Sequence, residues 1–185
     1  MRKLRIIYED KWLVVIEKPS GLLSVGHPTA NEENAWHLVG EYLKSKNYRD
    51  NAYVCHRLDK FTSGILMFSK SEEIQHQLRD NWNDYVLDRR YVAVTEVVPN
   101  PKKAEIRSYL TENSAMFVHS TQNTEIGKLA ITRFKVIAEN KNMALLDVQI
   151  LTGRKNQIRV HLSEHGWPIA GDKKYGAKTS PENRL

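Results

Sequence analysis

At 185 residues, 41% of them hydrophobic, the chain is long enough to bury a core of its own and fits one large domain or two small ones. Its formal net charge of +6 favours an anionic partner such as nucleic acid, without distinguishing RNA from an acidic protein or a membrane surface. A single cysteine excludes an internal disulfide framework, no apolar run approaches the roughly 18 residues of a membrane span, and the charges in MRKLRIIYEDKW exclude a signal peptide, so a cytoplasmic protein is expected.

In chain order, Leu4–Tyr8 and Trp12–Ile16 read as strands joined by the polar turn Glu9-Asp10-Lys11. Lys18-Pro19-Ser20-Gly21 ends the second strand. Thr29 and Glu32 have capping-box spacing, and Trp36, Val39 and Leu43 follow at i, i+3 and i+7. This predicts a helix over residues ~30–46 with Trp36 in the buried stripe and His37 on the solvated side. Gly40 weakens that helix by about 1 kcal/mol relative to alanine.

Tyr53-Val54-Cys55 and Ile65-Leu66-Met67-Phe68 are apolar runs of the kind that lie buried in a sheet, and Cys55 reads as a buried, inert thiol. The nine residues between them include His56, Arg57, Asp59, Lys60, Thr62, Ser63 and Gly64. On residue types alone this is either a charged surface turn, with Arg57 and Asp59 in an exposed ion pair worth ~0–1 kcal/mol, or a site positioned by rigid strands.

Ser71 begins a helix carrying Ile74, Leu78, Trp82 and Tyr85 and ending near Asp88. The basic pair Arg89-Arg90 leads into a strand at Tyr91, and a tyrosine at a strand start is ordinarily half-buried packing. Asn100-Pro101-Lys102-Lys103 is a turn, and Ala104–Leu110, Met116–His119, Ala130–Val136 and Leu145–Leu151 read as strands, the last alternating strongly enough to be half-buried. Thr152 is placed to cap a helix that buries Ile158 and Leu162 until Gly166 stops it. Arg154 and Lys155 would lie in its first turn, against the helix dipole, which suggests a compensating anion; a solvated basic face is the plainer alternative. Ala177–Leu185 is a polar, disorder-like finish.

Three stretches carry a resemblance. HRLDKFTSGILMFSK, with its His-Arg-Leu-Asp, two variable positions and Thr-Ser-Gly before an apolar strand, resembles the first catalytic motif of the RluA family of pseudouridine synthases. Arg89-x-Tyr91-x-Ala93 is similar to the family's second motif. Thr152-Gly153-Arg154 with Gln157-Ile158-Arg159-Val160-His161, followed by Gly166-x-Pro168-Ile169-x-Gly171-Asp172-x-x-Tyr175-Gly176, is similar to the third. IIYEDKWLVVIEKPSGLL resembles the opening of the family's catalytic domain.

The resemblance implies an α+β fold, with a mixed, mainly antiparallel bent sheet and flanking helices. It implies a single catalytic domain over residues 1–185 that begins almost at Met1, without the separate N-terminal RNA-binding domain of some members and without the family's C-terminal strand pair. It assigns Asp59 as the catalytic nucleophile, Tyr91 as the residue that stacks on the target base and assists proton removal, and Arg159 as the arginine that pairs with the aspartate. Arg57 would occupy the space of the displaced base and, with Arg89, Arg90, Arg154, Lys155 and Lys173, contact RNA, either tRNA or rRNA. No cofactor or metal is expected, and the protein is expected to act as a monomer. Asn156 departs from the family's usual histidine, and Lys155 from its threonine or serine, which excludes a titrating role at position 156. A noncatalytic RNA-binding or chaperone domain is the alternative reading. A His/Asp hydrolase built on His56 or His161 finds no Gly-x-Ser-x-Gly or HExxH to support it.

Overall fold

The computed structural model describes residues 4–26, 32–46 and 51–179. In order, the elements are β1 (Arg5–Glu9), β2 (Leu13–Lys18), α1 (Ala35–Ser45), β3 (Tyr53–Val54), β4 (Gly64–Ser69), α2 (Glu72–Asp80), α3 (Trp82–Tyr85), β5 (Arg90–Thr95), β6 (Lys103–Glu112), β7 (Val118–Thr121), β8 (Lys128–Glu139), β9 (Ala144–Ile150), α4 (Gln157–Glu164) and a 3-10 turn at Lys173–Tyr175. They divide into two compact units, one within Met1–Leu87 and one within Asp88–Leu185.

The first unit is built on an antiparallel sheet of order β1-β2-β4-β3. Alternation along its two middle strands turns Val14 and Ile16 of β2, and Leu66 and Phe68 of β4, to one face, where Leu38, Val39 and Leu43 of α1 complete the core. Ile65 is 63% exposed, so the apolar run of β4 is inward-facing only at alternate positions. Helix α1 starts later than the capping-box spacing predicts. Asn34 is its N-cap, with Oδ1 accepting from His37 N at 3.0 Å, while Thr29 lies outside the described residues. Trp36 is 46% exposed instead of buried, because its indole Nε1 donates to the carbonyl of Ala52 at 2.7 Å and so keeps the ring at the core's edge. Helix α2 stops at Asp80: Asn81 turns both its backbone N–H and its side-chain amide onto the carbonyl of Gln77, and the short α3 follows.

The second unit is an antiparallel sheet of order β5-β9-β8-β6-β7. Strict alternation along β9 buries Ala144, Leu146, Val148 and Ile150, and Leu162 of α4 packs into one cluster with the first three. Val160, two residues earlier on that helix, joins Leu110, Val118, Ala130 and Tyr175 in a second cluster. Strand β7 begins at Val118 because Met116, expected to be extended, has φ 55 and closes the preceding turn. The backbone of Ala177, Lys178 and Thr179 is held by the Asp172 carbonyl and the Glu96 carboxylate, so the polar finish is anchored as far as Thr179, and its remainder lies outside the described residues. The fold is α+β, with antiparallel ladders and flanking helices. Its parallel element among the described residues is the isolated Leu23–Asn34 bridge.

Candidate active site

The β3–β4 loop, residues 55–63, carries Arg57 and Asp59 between strands hydrogen-bonded to each other. Its entry is fixed by His56, whose Nε2 accepts from Met67 N at 3.2 Å and whose ring lies 5.5 Å from Trp82. Its exit turns through Gly64 at φ 137, a conformation that an L side chain rarely adopts. Within it, Thr62 N donates to the Asp59 carbonyl at 3.2 Å. Asp59 is half-buried and Arg57 exposed. Among the described residues the Arg57 guanidinium has no hydrogen bond or ion pair, so the exposed Arg57–Asp59 pair of the surface-turn reading does not form. Cys55 is half-buried, and burial pushes its thiol above the ordinary value, in keeping with an inert role.

Lys18, read only as part of a strand end, is fully buried, with Nζ donating to the carbonyls of Leu22 at 2.7 Å, Lys60 at 3.0 Å and Pro19 at 3.1 Å. Three carbonyls supply what a buried ammonium requires. The sequence holds a signal for it: a lysine standing at an inward position of the alternating strand β2.

In the second unit, Tyr91 lies on β5 opposite Val148, half-buried on the face that carries Ala93 and packs with Ile158 and Leu162 of α4. The same helix carries Arg159. Its Nε and Nη2 donate to Asp172 Oδ2 and Oδ1 at 2.7 and 2.8 Å, and its guanidinium carbon sits 4.8 Å from the centre of the Tyr175 ring. The side chains are 14% and 2% exposed, so this is a two-pronged ion pair withdrawn from water. Tyr175 is held in turn: its hydroxyl donates to Asn156 Oδ1 at 3.1 Å and accepts from Val118 N at 3.3 Å. Asp172 and Tyr175 are legible as part of the third motif, but nothing in their spacing identifies them as the cradle of Arg159.

The start of α4 corrects another expectation. The helix begins at Gln157 after Asn156, which has φ 53 in the left-handed region. Asparagine is among the residues that tolerate this conformation, and it is buried here on Tyr175. Thr152 does not cap the helix; its hydroxyl donates to Gln157 Oε1 and accepts from Ile131 N. Arg154 and Lys155 therefore precede the first turn instead of opposing its dipole. Lys155 is paired with Glu112, and Arg154 Nε donates to the Leu129 carbonyl at 2.9 Å, so the helix dipole calls for no compensating anion there.

A chain of hydroxyls anchors α4 from below. His161 is 1% exposed, with Nδ1 2.9 Å from Thr132 Oγ1 and Nε2 3.0 Å from Ser108 Oγ; Ser108 and Ser120 hydroxyls are 3.0 Å apart, and Ser120 reaches the Glu164 carboxylate. A carboxylate only accepts, so the donors run from His161 Nε2–H through Ser108 and Ser120 to Glu164, while the Thr132 hydroxyl donates to Nδ1. That arrangement requires neutral histidine, and burial depresses its pKa from 6.5 to about 4.

The basic residues are not equivalent. Arg89 Nη2 donates to the Leu151 carbonyl at 2.8 Å, and a Cβ at position 153 would stand 3.0 Å from Arg89 Nη1, so Gly153 permits the guanidinium to lie against this turn. Arg90 is engaged by Asp147 and Asp88. Lys173 is exposed and, among the described residues, its ammonium has no ion pair. The structure thus brings Arg89 beside the Arg154 turn and places Tyr91 and the Arg159 helix on one core, with Arg57 and Asp59 in the other unit.

Comparison with known proteins gives a consistent result. The sequence profile of the RNA pseudouridylate synthase family matches residues 12–164. An uncharacterised RNA pseudouridine synthase from Mycoplasma genitalium is 37% identical over 182 residues, 98% of this chain and 58% of the relative. A ribosomal large subunit pseudouridine synthase C from Rickettsia felis is 35% identical over 176 residues, 94% of this chain and 56% of the relative. The chain thus spans somewhat over half the length of these curated relatives. Among solved structures, human RNA pseudouridylate synthase domain containing 4 superposes with a TM-score of 0.78 at 28% identity, covering 92% of this chain and 68% of that one.

Proposed function

We propose that this chain, which belongs to the RNA pseudouridylate synthase family, isomerises uridines in RNA to pseudouridine with Asp59 as its reactive carboxylate. The observation that carries the reading is the family match over residues 12–164, a range that includes Asp59, Tyr91 and Arg159. It runs through both compact units, which supports treating them as one catalytic domain.

The reaction breaks the C1′–N1 bond, turns the uracil, joins C1′ to C5, releases the C5 proton and returns a proton to N1. It is redox-neutral, so it calls for a nucleophile and proton transfer and needs neither metal nor cofactor. Asp59 supplies the carboxylate. Arg159 is proposed to pair with it, and a planar fork suits that role, because it presents several N–H groups in fixed geometry and stays charged at any working pH. The target uridine must leave its stack, and Arg57, exposed and without a protein partner among the described residues, is suited to fill the gap while Tyr91 stacks on the extruded base and assists loss of the C5 proton. Arg89, Arg90, Arg154, Lys155 and Lys173 are proposed to contact phosphates. The substrate is tRNA or rRNA, and the name of the Rickettsia relative makes large-subunit ribosomal RNA the first to test. An RNA substrate fits a cytoplasmic protein acting as a monomer.

Asn156 lends the noncatalytic alternative little support, since its conformation and its bond to Tyr175 give it a structural role. The test is release of tritium from C5-labelled uridine in RNA. Wild-type protein should release it, and Asp59→Asn should lower the rate at least about a hundredfold while RNA affinity stays within a few-fold. RNA binding without release by the wild type would establish the noncatalytic reading.

A further inference from the structure

The peptide groups on both sides of Asp59 are held, the one that enters it by a residue distant in sequence and the one that leaves it by a turn within the loop. Ser24, 4% exposed, donates its hydroxyl hydrogen to the Leu58 carbonyl at 2.7 Å and accepts from Leu58 N at 3.0 Å. The Leu58 carbonyl belongs to the peptide plane that enters Asp59. The plane that leaves it is held by the bond from Thr62 N to the Asp59 carbonyl at 3.2 Å. One residue further on, the Lys60 carbonyl accepts from Lys18 Nζ at 3.0 Å and from Gly21 N at 2.9 Å, and the Phe61 carbonyl accepts from Ser20 Oγ at 2.8 Å. With both flanking planes pinned, φ and ψ of Asp59 are set, and the direction in which its side chain leaves the backbone is set with them.

The clamp is itself grounded. The first two N–H groups of α1, which have no partner within a helix, are spent on this segment: Ala35 N donates to the Leu23 carbonyl at 2.8 Å and Trp36 N to the Ser24 carbonyl at 3.1 Å. Helix α1, Ser24 and Leu58 thus form one continuous path from a packed helix to the peptide of Asp59. A carboxylate attacking a carbon depends on near-attack geometry, where a displacement of about 1 Å costs on the order of a hundredfold in rate.

We propose that Ser24 is the positioning residue for Asp59, acting through the Leu58 peptide, with Ser20 as a weaker outer tie to the same loop. This rests on the reading of Asp59 as the reactive carboxylate. The experiment compares wild type, Ser24→Ala, Ser24→Thr, Ser20→Ala and Ser69→Ala in single-turnover tritium release at saturating protein, RNA affinity, thermal midpoint and exchange of the Leu58 amide hydrogen. Ser69→Ala is the control for a lost buried hydroxyl, since Ser69 Oγ donates to the Ser71 carbonyl and meets the loop only at its first residue, Cys55, away from the peptides that flank Asp59. Ser24→Ala should lower the bound rate at least about tenfold, speed exchange at Leu58 and leave RNA affinity within about twofold. Ser24→Thr, which keeps the hydroxyl, should recover most of the rate; Ser20→Ala should lose about twofold to threefold, and Ser69→Ala should match wild type.

A Ser24→Ala rate within about twofold of wild type, or an equal fall in Ser69→Ala, overturns the proposal. If Ser24→Ala does not fold, Ser20→Ala decides: unchanged rate and unchanged exchange at Leu58 count against the clamp. A wild type that releases no tritium sinks the pseudouridine synthase reading instead, and the clamp then stands or falls on Leu58 exchange in Ser24→Ala.

Discussion

The two charged groups at the centre of the proposed chemistry stand on different supports. Asp59 is located through its backbone, by neutral hydroxyls and amides and one lysine that bind the peptide groups of residues 58–60. Arg159 is located through its side chain, by the buried carboxylate of Asp172 and the face of Tyr175. The difference bears on what mutation does. Changing the Asp59 side chain leaves its peptide anchors in place, whereas changing the Arg159 side chain strands a carboxylate that is 2% exposed. The first change keeps the anchors that shape the loop; the second removes the partner of a buried carboxylate.

The largest effect that sharpens this contrast is expected at Arg159. Arg159→Met should destabilise the protein by about 3–5 kcal/mol in urea unfolding, the usual cost of leaving one member of a buried ion pair uncompensated. Adding Asp172→Leu should recover most of that loss, and Arg159→Lys should fall between, because charge remains while one prong is lost. Equal stability of Arg159→Met and wild type would mean that Asp172 is neutralised by something other than this arginine.

This asymmetry shows what the sequence conveys and what it does not. Every strand is marked by its apolar run or alternation, to within a few residues, because period-2 patterning survives whatever the strand packs against. Asp59, Tyr91 and Arg159 stand out because they lie in long motifs. What stays hidden are partners distant in sequence: Asp172 thirteen positions from Arg159, and Ser24 thirty-four from Leu58. Neither residue type nor spacing encodes such a pairing. The start of α4 is misjudged from sequence because Thr152 and Gln157 satisfy each other, leaving the turn at Arg154-Lys155 outside the helix. Trp36 is misjudged because a periodic stripe records hydrophobicity and not the reach of an indole N–H to a carbonyl.

A second test acts on the helix that carries Arg159. His161 has a folded pKa of about 4 against an ordinary 6.5, with Thr132, Ser108, Glu164 and His165 around it. The unfolded chain therefore binds more protons between these values, and stability present above pH 6.5 is lost as the pH falls toward 4, by at most about 3 kcal/mol. Urea unfolding across this range should show the slope, and His161→Gln should flatten it. Glu9 acts in a lower window. Burial alone would raise its pKa, but Tyr42, Lys70 and Lys46 outweigh that and hold it at about 2 against 4.5, so its contribution is lost as the pH falls from 4.5 toward 2. A slope between pH 6.5 and 4.5 that survives His161→Gln would remove His161 as its cause.

The smallest expected effects separate the cations that have no ion pair among the described residues from the paired ones. Arg57 and Lys173 should each reduce the logarithmic salt dependence of RNA affinity by roughly 0.7–0.9 when changed to alanine, if each contacts one phosphate. Arg90→Ala and Lys155→Ala should change it less, because Asp147 and Asp88, or Glu112, already share those charges. Arg57→Ala should also slow the bound rate, more in a stacked stem than in a loose loop, since extrusion is easier from the loop. Equal slopes for all four variants would show that these protein ion pairs open when RNA binds.

The most direct test carries Asp59→Asn and Arg159→Met through the same pair of assays, tritium release from C5-labelled uridine RNA and urea unfolding. Both should lose release by at least about a hundredfold, while Asp59→Asn unfolds within about 1 kcal/mol of wild type and Arg159→Met falls by about 3–5 kcal/mol. Retention of more than about a tenth of the activity by Asp59→Asn, or an equal loss of stability in the two variants, would contradict the roles assigned to these residues.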